Sequence, residues 1–429
     1  MVSNNKKNYN FFFYLVGMCL LLLIRDVIEV NIPLLVFFCY FSAGYCFATF
    51  DQCLAISSVL PLLNHGVQTN YIIFVAIVMY VIRFRRSTRI NYIHATAILL
   101  SLYELMHAFI LPFDVAEYLR YVFFFIYIGL ILGESRIQEL MVDESIVLKT
   151  FIFMDAYFMF EVLLVTVKYM SYSTIISSGF RFGTLEDYVV GKPTLFDNEN
   201  MVGLFALIAI GLLLIQLHRN KKHRILKIAM IVYFLFFGLM TTSKTFIICF
   251  AMMFAMFLLY MFRTSIIKAT GIMLASVTAL LIAANTIFAS EVQRLMVRFQ
   301  AADLSTGRND LIKYYNKFIF SDWKRAVFGI GLQEVVEKSG AHNSPHNATQ
   351  ELILCWGIIG LLVILLLAFR IYRKTRKDLE IKPEIVYYLP AIMFLIFIQT
   401  IQFIRLTSIF GLVIVLYVAI LSGGRRRYE

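Results

Sequence analysis

Long apolar stretches separated by short polar ones run from residue 9 almost to the C-terminus. A hydrocarbon core about 30 Å thick takes roughly 20 apolar residues in a helix to cross. Candidate spans fall at 9–24, 32–50, 53–65, 70–83, 92–111, 117–133, 148–167, 201–217, 225–242, 245–262, 266–289, 348–369, 384–402 and 407–421. They predict an all-α, polytopic integral membrane protein with about 12–14 transmembrane helices. A transmembrane β-barrel would alternate apolar and polar residues within each span, and these stretches do not. The stretch 53–65 is the weakest, being short and holding Pro61. If it and its neighbour form a re-entrant hairpin, two spans are lost and the sidedness of everything downstream is unchanged. No internal repeat and no Pro-rich or Gly-rich linker interrupts the pattern, so residues 1–429 read as one transmembrane domain.

The polar residues between spans set the orientation. Basic strips occur at Arg83, Arg85, Arg86 and Arg89; at Arg219, Lys221, Lys222, Arg224 and Lys227; at Arg370, Arg373, Lys374, Arg376 and Lys377; and at Arg425, Arg426 and Arg427. Short loops rich in Lys and Arg stay in the cytoplasm. Placing these strips inside puts both termini inside as well. Lys6 and Lys7 precede the first apolar run as in a signal peptide, but no small-residue cleavage site follows, so that run reads as the first anchor. Two polar intervals then face outward: about 168–200, and the large loop 290–347. The loop carries Arg294, Arg298, Arg308, Lys313, Lys317, Lys324, Arg325 and Lys338 against six acids, which its length permits outside. Within it, Asp310–Phe320 is patterned as an amphipathic helix able to lie flat on a membrane.

Composition sharpens this picture in two places. With only 15% charged residues the chain falls well below the roughly 25% of soluble proteins. A net charge of +12 would suit nucleic acid if it formed one patch; dispersed in strips between spans, it reads as membrane anchoring and excludes that partner. The six cysteines, Cys19, Cys39, Cys46, Cys53, Cys249 and Cys355, form no CxxC pair and read as small apolar side chains rather than disulfides or zinc ligands.

The candidate chemistry lies on the outer face. His346 and Asn347 stand where the large loop re-enters the membrane, and nine residues separate them from Gly357-Ile358-Ile359-Gly360. A bland reading exists: Asn343, Ser344 or Asn347 capping the next helix, Pro345 in its first turn, and the glycines letting helices pack closely. Four further strips lie on the same face. They are Arg181-Phe182-Gly183-Thr184 with Asp197-Asn198-Glu199-Asn200; Thr241-Thr242-Ser243-Lys244-Thr245; Thr306-Gly307-Arg308-Asn309-Asp310; and Phe328-Gly329-Ile330-Gly331. In that order they resemble the O-antigen polymerase and ligase superfamily over about residues 180–365. Glu199 stands where that family has proline, and Lys244 where it has arginine.

The resemblance implies a GT-C-like membrane glycosyltransferase, a polymerase joining polyprenyl-diphosphate-linked oligosaccharide repeats outside the bacterial cytoplasmic membrane. It makes O-antigen, capsule or exopolysaccharide the product. Both donor and acceptor are lipid-linked glycans, and a flippase and a chain-length regulator are expected partners. It assigns His346 and Arg308 to catalysis and Arg181, Lys244, Asn200 and Asn347 to substrate binding. Arg120, three residues from Glu117, reads either as half of a helix pair or as a further contact to the lipid phosphates. Cations converging on one face suit a diphosphate, since arginine grips phosphate oxygens through two N–H groups and lysine acts as a point charge. No DxD motif stands outside, so neither metal nor cofactor is expected. Asp155 and Glu161 in one span, and Glu104 and His107 in another, read either as a second polar track or, the reading preferred, as structurally paired groups. Two rival readings stand beside this one. A ligase moves the finished glycan to another acceptor. A lipid-linked oligosaccharide flippase would show two related halves and cations along a central cavity, without a large outer loop.

Overall fold

The computed structural model describes residues 2–60, 69–84, 90–110, 115–134, 144–171, 181–183, 199–220, 222–285, 307–331, 335–341, 343–379, 382–401 and 408–424, with isolated positions between 289 and 300. Among them there are helices and connections and no strand. Every one of the apolar stretches coincides with a helix. In order these are α1 (Val2–Asp26), α2 (Leu34–Phe47), α3 (Phe50–Val59), α4 (Thr69–Met79, continued by a π turn over Tyr80–Phe84), α5 (Tyr92–Ile110), α6 (Val115–Gly133), α7 (Glu144–Tyr169), α8 (Glu199–Arg219), α9 (Arg224–Met240), α10 (Lys244–Thr264) and α11 (Ile266–Asn285). The large loop holds α12 (Arg308–Phe320), α13 (Trp323–Phe328) and α14 (Val335–Ser339). Beyond it come α15 (Ala348–Asp378), α16 (Ile385–Phe397) and α17 (Ser408–Gly423). Among the described residues, five of these helices are long and apolar enough to cross a membrane, and six shorter apolar helices accompany them. The architecture is that of an all-helical polytopic membrane protein.

The chain groups into two compact units, Met1–Phe151 with Gly307–Lys382 and Ile398–Glu429, and Ile152–Thr306 with Pro383–Phe397. In the first unit, polar groups inside apolar helices are bonded in chains, as they must be where no water can serve them. The Ser57 hydroxyl lies 3.0 Å from the Tyr45 hydroxyl and 2.5 Å from that of Tyr127, all three buried. Two residues of the basic strips close helix ends. Arg83 donates to Tyr45 O and Ala48 O at the end of α2. Lys374 lies within 2.9–3.3 Å of the carbonyl oxygens of Leu132, Gly133 and Glu134 at the end of α6. Both put a cation at the negative end of a helix dipole. They bring the C-terminal ends of α2 and α4 together, and that of α6 against the basic part of α15.

The second unit is built around α8, whose residues Met201–Ile215 are buried without a break. A helix apolar on all sides is an interior helix. It is packed by α9, α10 and α16, and close approach needs small residues: a side chain at Gly211 would press on the Pro390 ring and one at Gly203 on Phe246. At the far end of α8, His218 Nε2 lies 3.0 Å from Glu384.

Candidate functional site

The motif around His346 has a precise backbone explanation. Asn347 is the N-cap of α15: its side-chain oxygen accepts from Gln350 N at 3.0 Å, and its amide donates to Gln399 O at 3.3 Å. Pro345 therefore lies just before the helix, buried, and not in its first turn. Nine residues of helix follow, Ala348–Trp356, and then Gly357 breaks it with φ 65° and ψ −171°. The apolar pattern predicts one unbroken helix over 348–369; the structure has two helical pieces joined at a kink, with a non-helical glycine between them. That conformation is essentially restricted to glycine.

The break frees carbonyl groups, and the loop supplies their donors. Ile330 N donates to Leu354 O at 2.9 Å and Gly331 N to Cys355 O at 2.8 Å. A Cβ at Gly329 would overlap the Cys355 carbonyl, and one at Gly357 the Val327 carbonyl. Phe328-Gly329-Ile330-Gly331 and Cys355-Trp356-Gly357 are thus two backbones in direct contact. Helix α5 clamps the junction. The Tyr103 hydroxyl lies 2.8 Å from Phe328 O and 3.1 Å from Trp356 O, His107 Nε2 lies 2.9 Å from Phe328 O, and Trp356 Nε1 donates to the fully buried Glu104 carboxylate. Glu104 and His107 are paired as the sequence suggested. The partner of His107, the loop carbonyl of Phe328, carries no sequence signal; that of Glu104 is the Trp356 indole.

Helix α12 is bolted to the start of α15. Gln350 Nε2 donates to Ile312 O and to Asn316 Oδ1, both at 2.8 Å, and the Tyr315 hydroxyl to Asn343 O at 2.7 Å. Arg308 opens α12 behind Gly307, whose φ is 80°, and it stands four residues before Ile312. His346 stands four residues before Gln350 and is half-buried. Arg308 thus lies one helical turn from Ile312, whereas His346 precedes the N-cap of α15 in non-helical backbone. His342 lies outside the described residues.

In the second unit, three strips far apart in sequence form one polar junction. Phe182 N donates to Met240 O at 3.1 Å, setting residues 181–183 against the turn between α9 and α10. Arg181 pairs with Glu199, and its Nε lies 3.2 Å from Thr241 O and 3.1 Å from Thr242 Oγ1. The Asn200 side chain accepts from the Ser243 hydroxyl at 2.9 Å, and Ser243 caps α10 by accepting from Phe246 N. Thr242 takes φ 49° to make this turn, and Lys244 is the first residue of α10. Glu199, in the first turn of α8, is only 8% exposed and sits at a positive helix end. The sequence reading quoted Glu199 only as the departure from proline; it is the counter-ion of Arg181.

Arg181, Asn200 and Lys244 therefore come together in the second unit, and Arg308, His346 and Asn347 belong to the first. Arg120 falls on α6, its side chain outside the described residues, as are Thr184, Asp197, Asn198 and Thr306. One pairing expectation fails. Asp155 in α7 is fully buried, and neither carboxylate oxygen has a hydrogen-bond partner among the described residues. No cluster of three or more potential metal ligands occurs among the described residues. No family model, curated protein or solved structure matches this chain.

The Arg181–Glu199 pair yields a stability prediction. Arg181→Ala and Glu199→Ala should each lower unfolding stability by about 1–2 kcal/mol, the range for a charge-assisted bond discounted for partial exposure. The double variant should lose little more than either single one. A denaturation cycle checks this; strictly additive losses would show that the pair is not coupled.

Proposed function

We propose that this chain is a membrane polymerase that joins polyprenyl-diphosphate-linked oligosaccharide repeats at the outer face of a bacterial cytoplasmic membrane. In this reading about 12–14 helices cross the bilayer, residues 290–347 form the large extracytoplasmic loop, and both termini are cytoplasmic. The observation that carries the reading is the assembly of the strips that resemble the polymerase and ligase superfamily. Arg181, Asn200 and Lys244 gather at the N-termini of α8 and α10. Phe328–Gly331 and the stretch from Asn347 to Gly357 gather at the break in α15.

The chemistry is substitution at the anomeric carbon of the donor. An acceptor sugar hydroxyl attacks that carbon, the bond to the diphosphate oxygen breaks, and polyprenyl diphosphate leaves with the electron pair. His346 accepts the hydroxyl proton. Arg308 stabilises the charge that develops on the leaving diphosphate, and Arg181 and Lys244 are substrate-binding cations. The Arg181–Glu199 pair orients the guanidinium, and Lys244 leaves the junction with one net positive charge.

The test is chain extension in vitro by the full-length protein from one defined lipid-diphosphate repeat. Products of increasing repeat number are expected, with polyprenyl diphosphate released. Arg308→Ala should abolish extension with protein level unchanged, and Arg308→Lys should restore only part of it, since a point charge replaces a two-pronged donor. Transfer only to a different acceptor would identify a ligase. Full activity of the alanine variant would remove Arg308 from the site.

A further inference from the structure

We propose that α12 and α13 form a docking surface for anionic lipid headgroups, holding the large loop down on the membrane. The two faces of α12 divide cleanly. Tyr315 and Ile319 are buried toward α15. The opposite face presents Lys313, Lys317 and Phe320, which fall within one narrow sector at 100° per residue. Phe320 is 61% exposed, and Trp323, opening α13, is 66% exposed with Lys324 beside it. The Lys324 ammonium lies 6.0 Å from the Trp323 ring centroid.

The position of this patch argues for a bilayer. Gln350 and Asn343 fasten α12 to the mouth of α15, and α15 carries an apolar window over Ala348–Arg376. The patch is therefore fixed at the level where that apolar helix leaves the hydrocarbon. Aromatic rings beside lysines suit that level: the rings insert among headgroups while the ammonium groups stay wet. Charge selects the lipid. Residues 308–328 hold five basic side chains and two acidic ones, Asp310 and Asp322. Asp322 is occupied as the N-cap of α13, and Asp310 lies 3.5 Å from Lys313. Excess lysine gains little from a zwitterionic surface and much from an anionic one.

The chain supplies its own reporter, because its only other tryptophan, Trp356, is buried against Glu104. The full-length protein is reconstituted in bilayer discs of phosphatidylcholine, alone or in equal parts with phosphatidylglycerol. The fluorescence of a Trp323→Phe variant is subtracted from that of the parent. In the phosphatidylglycerol discs, Trp323 should be quenched by a lipid nitroxide at headgroup depth and shielded from acrylamide in the water. Shielding should be lost at 1 M salt, where charges are screened within about 3 Å. It should be lost as well in the triple variant Lys313→Gln, Lys317→Gln, Lys324→Gln at low salt. Equal access of acrylamide in both discs would show that the surface faces water or another occupant. Equal shielding in both discs would overturn the preference for anionic lipid. Neither result touches the glycosyl-transfer reading, which is tested by chain extension alone.

Discussion

Replacing His346 with alanine should lower the turnover of chain extension by about 10²–10⁴-fold, the loss that accompanies removal of a general base. The expectation rests on where the residue stands. Immediately before it Pro345 is buried; immediately after it Asn347 holds both the first turn of α15 and the Gln399 carbonyl. The backbone at 346 is therefore fixed from both sides by its neighbours. The alanine variant should melt at the parent temperature and bind the lipid-linked donor with nearly unchanged affinity, so that the loss falls on kcat. The acidic limb of the pH–rate profile should disappear with the imidazole. Loss of donor binding would make His346 a phosphate ligand and place the base elsewhere. Unchanged binding and turnover would leave the motif a helix cap alone.

Much of the architecture was legible because membrane burial imposes a strong, simple pattern. Each apolar stretch became a helix, whereas the carbonyl groups that Arg83 and Lys374 close could not be read from their basic strips. The amphipathic pattern at 310–320 likewise appeared as a helix with Tyr315 and Ile319 turned inward. What stayed hidden depends on groups that leave no pattern. The partners of Tyr103 and His107 are main-chain carbonyls, which every residue possesses. Glu199 looked like a mismatch because sequence cannot show that Arg181, 18 positions earlier, folds back on it. Asp155 looked like half of a pair because a carboxyl in an apolar helix normally needs one, yet its oxygens find no partner among the described residues. The break in α15 was hidden for a different reason. Glycine in an apolar helix most often signals close helix packing, and only the backbone angles separate that use from a reversal of conformation.

That break should make Gly357→Ala strongly destabilising. Its φ of 65° with ψ −171° costs a residue with a Cβ about 1–3 kcal/mol. The added methyl would also overlap the Val327 carbonyl, a main-chain group that cannot swing aside as a side chain would. Relief requires the loop to lift off α15. That motion breaks the bonds from Ile330 N and Gly331 N, each worth about 1 kcal/mol, and pulls Phe328 O away from Tyr103 and His107. A loss of at least about 3 kcal/mol is expected, a large fraction of the 5–15 kcal/mol that folded domains command. Gly271→Ala is the matched control. Gly271 lies inside α11 with nothing within 4 Å of its Cβ position, so alanine there should be neutral or slightly stabilising. Thermal unfolding of the purified protein in detergent compares the two. Equal melting temperatures would mean that α15 can pass through 357 as an ordinary helix. A low-melting Gly357→Ala beside a parent-like His346→Ala would instead divide one short motif into its parts: a glycine that shapes the backbone and a histidine kept for chemistry.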